Sequence, residues 1–461
     1  MTQESRNTLP LGDFQPADQW QIHVNSIFYG TLGPAIHNHF QTYASLDHRL
    51  AHSLAEEYFE QVRDQPLSPG PRYILELGVG NGNLARCFLS RLREIDSGGR
   101  VYPRTHYVLC DYSEEILKGV RSNPRLREHA GHFSTIRADA SGLGCFRPQS
   151  VDKIISNEIW DDLATRVLLK HQGTLYEEYL QPHLDPALIG GDFETFSGCF
   201  GGKNYSALRE YPPFLSHIHW EKSYQRVDIG DWPYPANLQA QIERFADEIP
   251  MPVNIGAFTT LERARGLLRP GGQGYRGFDY GMFSIDDLNR EGRPYFNLYG
   301  GQYTFMVNFD LLVRVGKAVG FENVEKEYQH HYVAGNSARK VTSLVEILQS
   351  HPQIPQMAPW DRDLLMVQTL HALNRAYRSP YKNKMEYPLL PGTPKKQRKQ
   401  IAQLVKKLSP YGVPDTVAYV TDGEVFSVIG TLKRLGYSER GLHQVFDGPP
   451  DAITFVTLNF R

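Results

Sequence analysis

Short apolar segments alternate with helical patterns in the first third of the chain, and each apolar segment ends in polar side chains. The first, Ile74 to Leu77, leads through three alternating glycines into leucines and a phenylalanine at helical spacing from about Asn83. Three more apolar segments follow, at 105–110, 134–138 and 151–156. This alternation predicts an α/β fold with a doubly wound, mostly parallel sheet, whose ligand site lies at the carboxyl ends of its strands.

The turn after the first segment reads Glu76-Leu77-Gly78-Val79-Gly80-Asn81-Gly82. Glycines permit positive φ and let the backbone approach a ligand closely. The dinucleotide fingerprint needs G-x-G-x-x-G beneath a pyrophosphate, whereas this turn is G-x-G-x-G preceded by an acid. A carboxylate suits a ligand with ammonium and sulfonium groups, such as S-adenosylmethionine (SAM). We predict that this cofactor is bound by Glu76, Gly78, Gly80 and Gly82, with a turn that binds nothing as the alternative.

Polar residues also end the other segments. Asp111 ends the second, where a carboxylate can accept hydrogen bonds from both hydroxyls of a ribose. The alternative for Asp111 is helix capping, because it and Ser113 lie where capping residues are favoured. The remaining residues that we predict to bind the cofactor are Asp111, Tyr112, Asp139, Ala140 and Asn157.

A cluster of acids follows the fourth segment, at the edge of the sheet where open α/β folds bind their ligands. If a helix began at Glu158, then Glu158, Asp161 and Asp162 would share one face. Carboxylates there suit a guanidinium acceptor and equally a general base for a hydroxyl or amine. We predict Glu158, Asn157 and Asp161 as catalytic residues. The alternative for the two aspartates is that they are exposed acids of a first helical turn.

Two later segments complete the pattern. Leu261 to Leu268 predicts a helix stopped by Arg269-Pro270-Gly271-Gly272, and a strand follows from Tyr275. A second helix is predicted over residues 309–319, ended by Gly320 and followed by another strand. His330 and His331 come next, either near the ligand pocket or as an exposed pair in a loop.

With these segments the chain resembles class I SAM-dependent methyltransferases, which have a Rossmann-like fold, and among them the MidA-like group, whose human member is a mitochondrial complex I assembly methyltransferase. The resemblance implies methyl transfer from SAM to a protein arginine or a small nitrogen or oxygen nucleophile. The chain departs from the family after Glu158, where Ile159-Trp160-Asp161-Asp162 is not followed by the family's proline. The matching residues are Glu76-Leu77-Gly78-x-Gly80-x-Gly82-x-Leu84, Ile155-Ser156-Asn157-Glu158 with Asp161, Asp279-Tyr280-Gly281, and Val307-Asn308-Phe309 with Leu312.

The layout predicts five regions along the chain. The aromatic-rich insertion lies above the strand ends, so its rings line an acceptor pocket or form a small core of their own. The basic run Lys395 to Lys399 predicts a solvated helix face rather than a nucleic-acid contact. The regions are a helical amino-terminal cap (1–66), the first part of the SAM-binding core (67–164), an acceptor-recognition insertion (165–260), the second part of the core (261–335) and a carboxyl-terminal extension without an assigned role (336–461).

Composition narrows the class of protein. With 461 residues and a formal net charge of −2, the chain has room for a large core and is not a general polyanion binder. Its four cysteines are scattered, so we expect neither a disulfide framework nor a metal site. No stretch has the apolar length of a signal peptide or a membrane span, and we expect a cytoplasmic protein, monomeric or oligomeric.

Two rival functions remain open from the sequence. One is a catalytically inactive scaffold or assembly factor that keeps the methyltransferase fold. The other is a non-methylating enzyme on the same fold, such as an NAD(P)-linked one.

Overall fold

The computed structural model describes residues 7–32, 42–66, 70–335, 339–383, 387, 389–390, 392–448 and 453–461. Its strands, in chain order, are β1 (Leu9–Pro10), β2 (Gln15–Pro16), β3 (Arg72–Leu77), β4 (Thr105–Asp111), β5 (Phe133–Arg137), β6 (Val151–Asn157), β7 (Arg166–His171), β8 (Thr174–Leu184), β9 (His219–Arg226), β10 (Met251–Val253), β11 (Gly274–Met282), β12 (Phe296–Tyr299), β13 (Gln302–Phe305), β14 (Val307–Asn308), β15 (Val324–Tyr328), β16 (Val341–Ser343), β17 (Tyr419–Thr421) and β18 (Thr454–Phe460).

Its α-helices are α1 (Ala17–Leu32), α2 (Tyr43–Leu46), α3 (Arg49–Val62), α4 (Asn83–Ile95), α5 (Glu114–Ser122), α6 (Phe193–Gly201), α7 (Tyr205–Leu208), α8 (Pro235–Ile242), α9 (Ile255–Leu267), α10 (Ile285–Leu288), α11 (Phe309–Val319), α12 (Gln329–Ala334), α13 (Leu344–Gln349), α14 (Pro359–Leu373), α15 (Lys395–Val405), α16 (Asp422–Ser427), α17 (Ile429–Leu435) and α18 (Glu439–Asp447). None of the helices in the described ranges is both long and apolar enough to cross a membrane.

The main sheet has the strand order β5-β4-β3-β6-β11-β18-β15. Strands β5, β4, β3, β6 and β11 pair in parallel, while β18 runs antiparallel to both of its neighbours. Counted along the chain, the order is 3-2-1-4-5-7-6, which is that of the class I methyltransferase fold. The predicted Rossmann-like, doubly wound sheet is therefore confirmed.

Side chains of the central strands face opposite sides of this sheet in turn, as the pleat requires. Ile74 of β3 and Ile155 of β6 pack in one core with helices α3 and α4. Leu75 of β3 and Ile154 of β6 pack in the other, with helices α9 and α11. All four side chains are fully buried. Because the strands are covered on both faces, they appear in the sequence as continuous apolar runs.

The insertion forms a second, antiparallel sheet together with part of the amino-terminal region. Its central strand β8 pairs with β1, β2, β7 and β9, and β7 pairs with β10. The predicted cap thus contributes two strands and helix α1 to the insertion. Many of the insertion's aromatic rings pack with Trp20 of α1 in a core that includes Phe196, Phe200 and Trp220. Of the two alternatives for these rings, the structure shows a core.

The carboxyl-terminal extension ends inside the main sheet. Helices α13, α14, α16, α17 and α18 pack around their own apolar core, which includes Leu344 and Leu370, and β18 then fills the gap between β11 and β15. The division at residue 336 therefore does not separate an independent extension, because β11 and β15 need the last strand to complete their pairing. Residues 341–343 form β16, which pairs with β17.

Candidate functional site

The carboxyl ends of the parallel strands open on a cavity of about 1070 Å³. The walls come from every region of the chain, since helix α1, helix α2, the insertion, the β12–β13 pair and the carboxyl-terminal region all contribute. The residues that line the cavity include Asn25, Tyr29, Thr42, Ala44, Ser45, Glu76, Gly78, Gly80, Asn81, Asp111, Tyr112, Asp139, Ala140, Asn157, Glu158, Asp161, Asp162, Tyr280, Gln302, Thr304, Val345, Val417 and Phe455.

The glycine-rich turn has the backbone that its sequence predicts. Gly78, Gly80 and Gly82 have φ values of 72°, 50° and 75°, in the left-handed region that favours glycine. A Cβ atom on Gly78 would lie 2.4 Å from Cγ2 of Ile159, so no side chain fits there without displacing that residue. Gly82 is the N-cap of α4. Gly78 and Gly80 line the cavity, whereas Gly82 belongs to the turn but does not line the cavity.

Glu76 is 2% exposed, and its Oε2 atom has no hydrogen-bond partner among the described residues. Burial raises the pKa of this carboxyl to about 8, helped by the nearby charge of Asp111 and opposed by the hydroxyl of Tyr107. Leaving a buried carboxylate oxygen unpaired costs free energy. Because Glu76 lines the cavity, a bound ligand could supply the missing partner of this oxygen.

Asp111 also lies in the cavity wall, and its oxygens bind the adjacent backbone. Oδ2 accepts from the Val79 N–H at 3.2 Å, and Oδ1 accepts from the Ser113 N–H at 2.9 Å. The side chain that caps α5 is Ser113, whose hydroxyl accepts from Ile116. Burial raises the pKa of Asp111 to about 6. Asp111 thus connects the Gly-rich turn to the start of α5, and its side chain still lines the cavity.

The next predicted cofactor residues lie along the same wall. The ring of Tyr112 meets Tyr29 edge-on, with centroids 5.4 Å apart. Asp139 is exposed and accepts the Ser141 N–H at 2.7 Å, and Ala140 lies beside it. The structure therefore brings the predicted cofactor residues to one cavity, except that Gly82 lies just outside it.

The segment after β6 is a turn and not a helix, so the predicted helical face of Glu158, Asp161 and Asp162 is wrong. Glu158 has φ of 50°, outside the helical region, and its N–H donates to the carbonyl of Phe278 at 2.8 Å. Its Oε1 accepts from Asn157 Nδ2 at 3.1 Å, and burial raises its pKa to about 7. The pairing of Asn157 with Glu158 holds the carboxylate in the cavity wall.

Asp161 is 4% exposed, which contradicts the alternative of an exposed first-turn acid. Its Oδ2 accepts the Tyr280 hydroxyl at 2.7 Å, while its Oδ1 has no partner among the described residues. Burial and the charge of Asp162 raise its pKa. The fully buried Asp279 accepts the backbone N–H groups of Trp160 and Asp161 and so fixes this turn.

Asp162 points toward residues that the sequence did not identify. Its Oδ1 accepts hydrogen bonds from Asn25 and Gln302, and burial raises its pKa to about 6. With Tyr29, Tyr280 and Thr304, these residues complete the wall beyond the cofactor side. Asn25 and Gln302 lie far from the Gly-rich turn in sequence and belong to no local motif. Tyr280 could have been found from the sequence, because it belongs to the Asp279-Tyr280-Gly281 segment that resembles the MidA-like group. Neither His330 nor His331 lines the cavity.

Charge is the feature that most restricts the ligand. Among the described residues the cavity wall contains six acidic side chains and no lysine, arginine or histidine. A low-dielectric pocket of this kind favours a cation and disfavours a pyrophosphate. The described residues contain no His, Cys, Asp and Glu cluster that could hold a metal ion. The six acids are Glu76, Asp111, Asp139, Glu158, Asp161 and Asp162.

Comparison with known families and structures gives weak likenesses. No protein-family model matches the chain, and no curated protein matches it. An uncharacterized protein from Burkholderia thailandensis is 13% identical, with a TM-score of 0.48 over 97% of this chain and 87% of its own. A protein of the same superfamily and organism, bound to S-adenosyl-homocysteine, is 13% identical, with a TM-score of 0.46 over 97% of this chain and 88% of its own.

Phosphoethanolamine N-methyltransferase 2 from Haemonchus contortus, in complex with S-adenosyl-L-methionine, is 13% identical, with a TM-score of 0.32 over 96% of this chain and 57% of its own. Sequence identities of 13% and TM-scores below 0.5 assign no function to this chain. The fold assignment therefore rests on the strand order described above.

Proposed function

We propose that this chain is a SAM-dependent methyltransferase of MidA-like type that acts on a nitrogen or oxygen nucleophile, either a protein arginine or a small molecule. The observation that carries the proposal is the cavity at the carboxyl edge of the sheet, whose described wall has six acidic side chains and no cationic side chain. SAM supplies a methyl group activated by its sulfonium, and it also carries an ammonium group. Both cationic groups suit this wall.

The cofactor is assigned to the side of the cavity formed by β3, β4, β5 and β6. Its Glu76 oxygen without a partner suits a cationic group. Gly78 and Gly80 adopt positive φ and have no side chains, so the backbone of the turn can approach the ligand closely. Asp111 offers carboxylate oxygens for ribose hydroxyls. The other residues assigned to this side are Tyr112, Asp139, Ala140 and Asn157, with Gly82 shaping the turn.

The acceptor is assigned to the other side, beside Glu158 and Asp161. Glu158, with a pKa of about 7, can accept a proton from the nucleophile. Asp161 offers a buried oxygen without a partner among the described residues, which can bind a polar or cationic group of the acceptor. Asn157 positions Glu158, and Tyr280 positions Asp161. The absence of cations from the described wall disfavours acceptors with a carboxylate or phosphate near the reacting atom.

The two rivals predict different chemistry. A scaffold that has lost activity needs no orphaned acids in a deep cavity, and an NAD(P)-linked enzyme needs a partner for a pyrophosphate. The experiment is methyl transfer from labelled SAM to fractionated cell extract, with wild type and Glu158→Gln compared. We expect labelled product from wild type that depends on Glu158. Absence of product across all fractions, with SAM bound, would favour the scaffold.

A further inference from the structure

The carboxyl-terminal region contacts the cofactor cavity through helix α2. This helix is one turn long, too short to be stable alone, so contacts with other elements must set its position. Thr42, Ala44 and Ser45 place it in the cavity wall. Its carbonyls face the Gly-rich turn: Asn81 Nδ2 donates to Ser45 O at 2.8 Å, and Asn83 Nδ2 donates to Ala44 O at 2.9 Å.

The other side of α2 is held by the carboxyl-terminal region. Tyr43 stacks on Tyr419 with ring centroids 4.4 Å apart. The fully buried Asp47, directly after α2, accepts the Tyr419 N–H at 3.1 Å and the Tyr377 hydroxyl at 3.0 Å. One short helix therefore joins the Gly-rich turn to β17 and to the segment after α14 that contains Tyr377.

Arg49 reinforces this junction at the start of α3. Its guanidinium pairs with both oxygens of Glu424, at 2.5 and 3.0 Å, and donates to the carbonyl of Tyr419 at 2.6 Å. It also lies 4.5 Å from the ring centroid of Tyr377. Such a bidentate pair fixes geometry as well as distance. Val345 and Val417 of the same region line the cavity directly.

We infer that residues 339–383 and 392–448 act as a clamp that positions α2 in the wall of the cofactor cavity, with Arg49 and Asp47 as positioning residues. The inference rests on the proposed cofactor site and gives the carboxyl-terminal region a role in it. Neither residue lines the cavity. They therefore act on the cofactor indirectly, through α2 and the turn that contains Asn81.

The test compares two substitutions of one kind within the same region. Tyr377→Phe removes a hydroxyl bonded to Asp47, whereas Tyr437→Phe removes a buried hydroxyl that is bonded at 2.8 Å to Thr369 and has no hydrogen bond to α2. Affinity for S-adenosylhomocysteine (SAH) is measured by calorimetry below each variant's melting temperature. We expect Tyr377→Phe to weaken binding and Tyr437→Phe to bind like wild type while melting earlier.

Arg49→Met gives the larger perturbation, with an expected loss of SAH affinity of roughly 5- to 150-fold, the usual range for coupling between sites. Arg49→Lys keeps the charge but not the bidentate geometry, so it should rescue affinity only in part. Wild-type affinity in Arg49→Met would overturn the inference, as would equal losses in Tyr377→Phe and Tyr437→Phe.

A second readout does not need a ligand. Amide hydrogen exchange over residues 42–49 should be faster in Arg49→Met than in wild type and unchanged in Tyr437→Phe, because α2 loses its outer support. Unchanged exchange in Arg49→Met would contradict the clamp even if SAH binds. Wild type that binds no SAH, with exchange as expected, would refute the proposed cofactor and leave the clamp intact.

Discussion

Replacing Glu76 with glutamine should stabilise the ligand-free protein and weaken its binding of SAH. The buried Glu76 carboxyl has a pKa of about 8 against an ordinary value of 4.5. At pH 7 the unfolded chain has released this proton and the folded chain holds it. Folding at pH 7 therefore requires Glu76 to take up a proton. The uptake costs about 1.4 kcal/mol for each pH unit between the ordinary pKa and pH 7, or about 3 kcal/mol in total.

Glutamine has the shape of the protonated acid and does not titrate, so Glu76→Gln removes this cost. Because the folded pKa is raised, the stability of wild type falls as pH rises from about 4.5 to 8. The variant should be more stable by about 2–3 kcal/mol at pH 7, with the difference vanishing below about pH 4.5. Affinity for SAH at pH 7 should fall by up to about 1.6 kcal/mol, because a hydrogen bond to a charged group contributes about 1.5–3 kcal/mol and releasing the Glu76 proton on binding costs about 1.4 kcal/mol of it.

The assay is urea unfolding of both proteins between pH 4 and 8, together with SAH calorimetry at pH 7. Glu57→Gln is the control, since Lys153 and Arg276 hold the Glu57 pKa at about 2 despite its burial. Ionised Glu57 stabilises the folded protein at any pH above its ordinary pKa. Glu57→Gln removes this charge and should therefore lower the stability of the protein at pH 7. If the two proteins differed in free energy of unfolding by the same amount at every pH, or if Glu76→Gln were less stable than wild type at pH 7, Glu76 would not be protonated in the folded protein. Unchanged SAH affinity would remove Glu76 from the cofactor site.

Three further substitutions test single residues of the site. Gly80→Val should abolish SAH binding in a folded protein, because a β-branched residue resists the φ of 50° found there; a folded variant with wild-type affinity would refute the assignment of the turn. Asp111→Ala should weaken binding by about 1.5–3 kcal/mol, whereas a loss below about 0.5 kcal/mol would limit Asp111 to bracing the turns. Glu158→Gln should slow methyl transfer about 10²- to 10⁴-fold without changing SAM affinity. The wild-type rate should rise with pH through about 7 as Glu158 loses its proton, and a rate profile identical in both proteins would exclude Glu158 as the base.

The strands, the Gly-rich turn and the helix ended by Gly320 could be predicted from sequence because local chemistry determines them. The run from Ile74 to Leu77 is buried on both faces, and Gly320 ends α11 in the left-handed conformation that its position predicts. Such features depend on neighbours a few residues away. Periodicity and turn chemistry are sufficient to recognise them.

The features that sequence reasoning missed depend on distant contacts. Asn25 and Gln302 meet at Asp162 only because α1 and β13 fold against the same turn. The turn at Glu158 is held by the Phe278 carbonyl and not by a helical pattern of its own. The last strand, β18, pairs between strands that lie more than a hundred residues earlier in the chain. No local pattern encodes pairings of this kind.

The central claim is that the acidic cavity binds SAM, and calorimetry of the ligand-free protein with SAH, SAM and NAD tests it most directly. We expect SAH and SAM to bind one per chain, NAD to show no binding, and Gly80→Val to lose both of the ligands that wild type binds. Binding of NAD in preference to SAH, or binding of neither by the folded wild-type protein, would contradict the account.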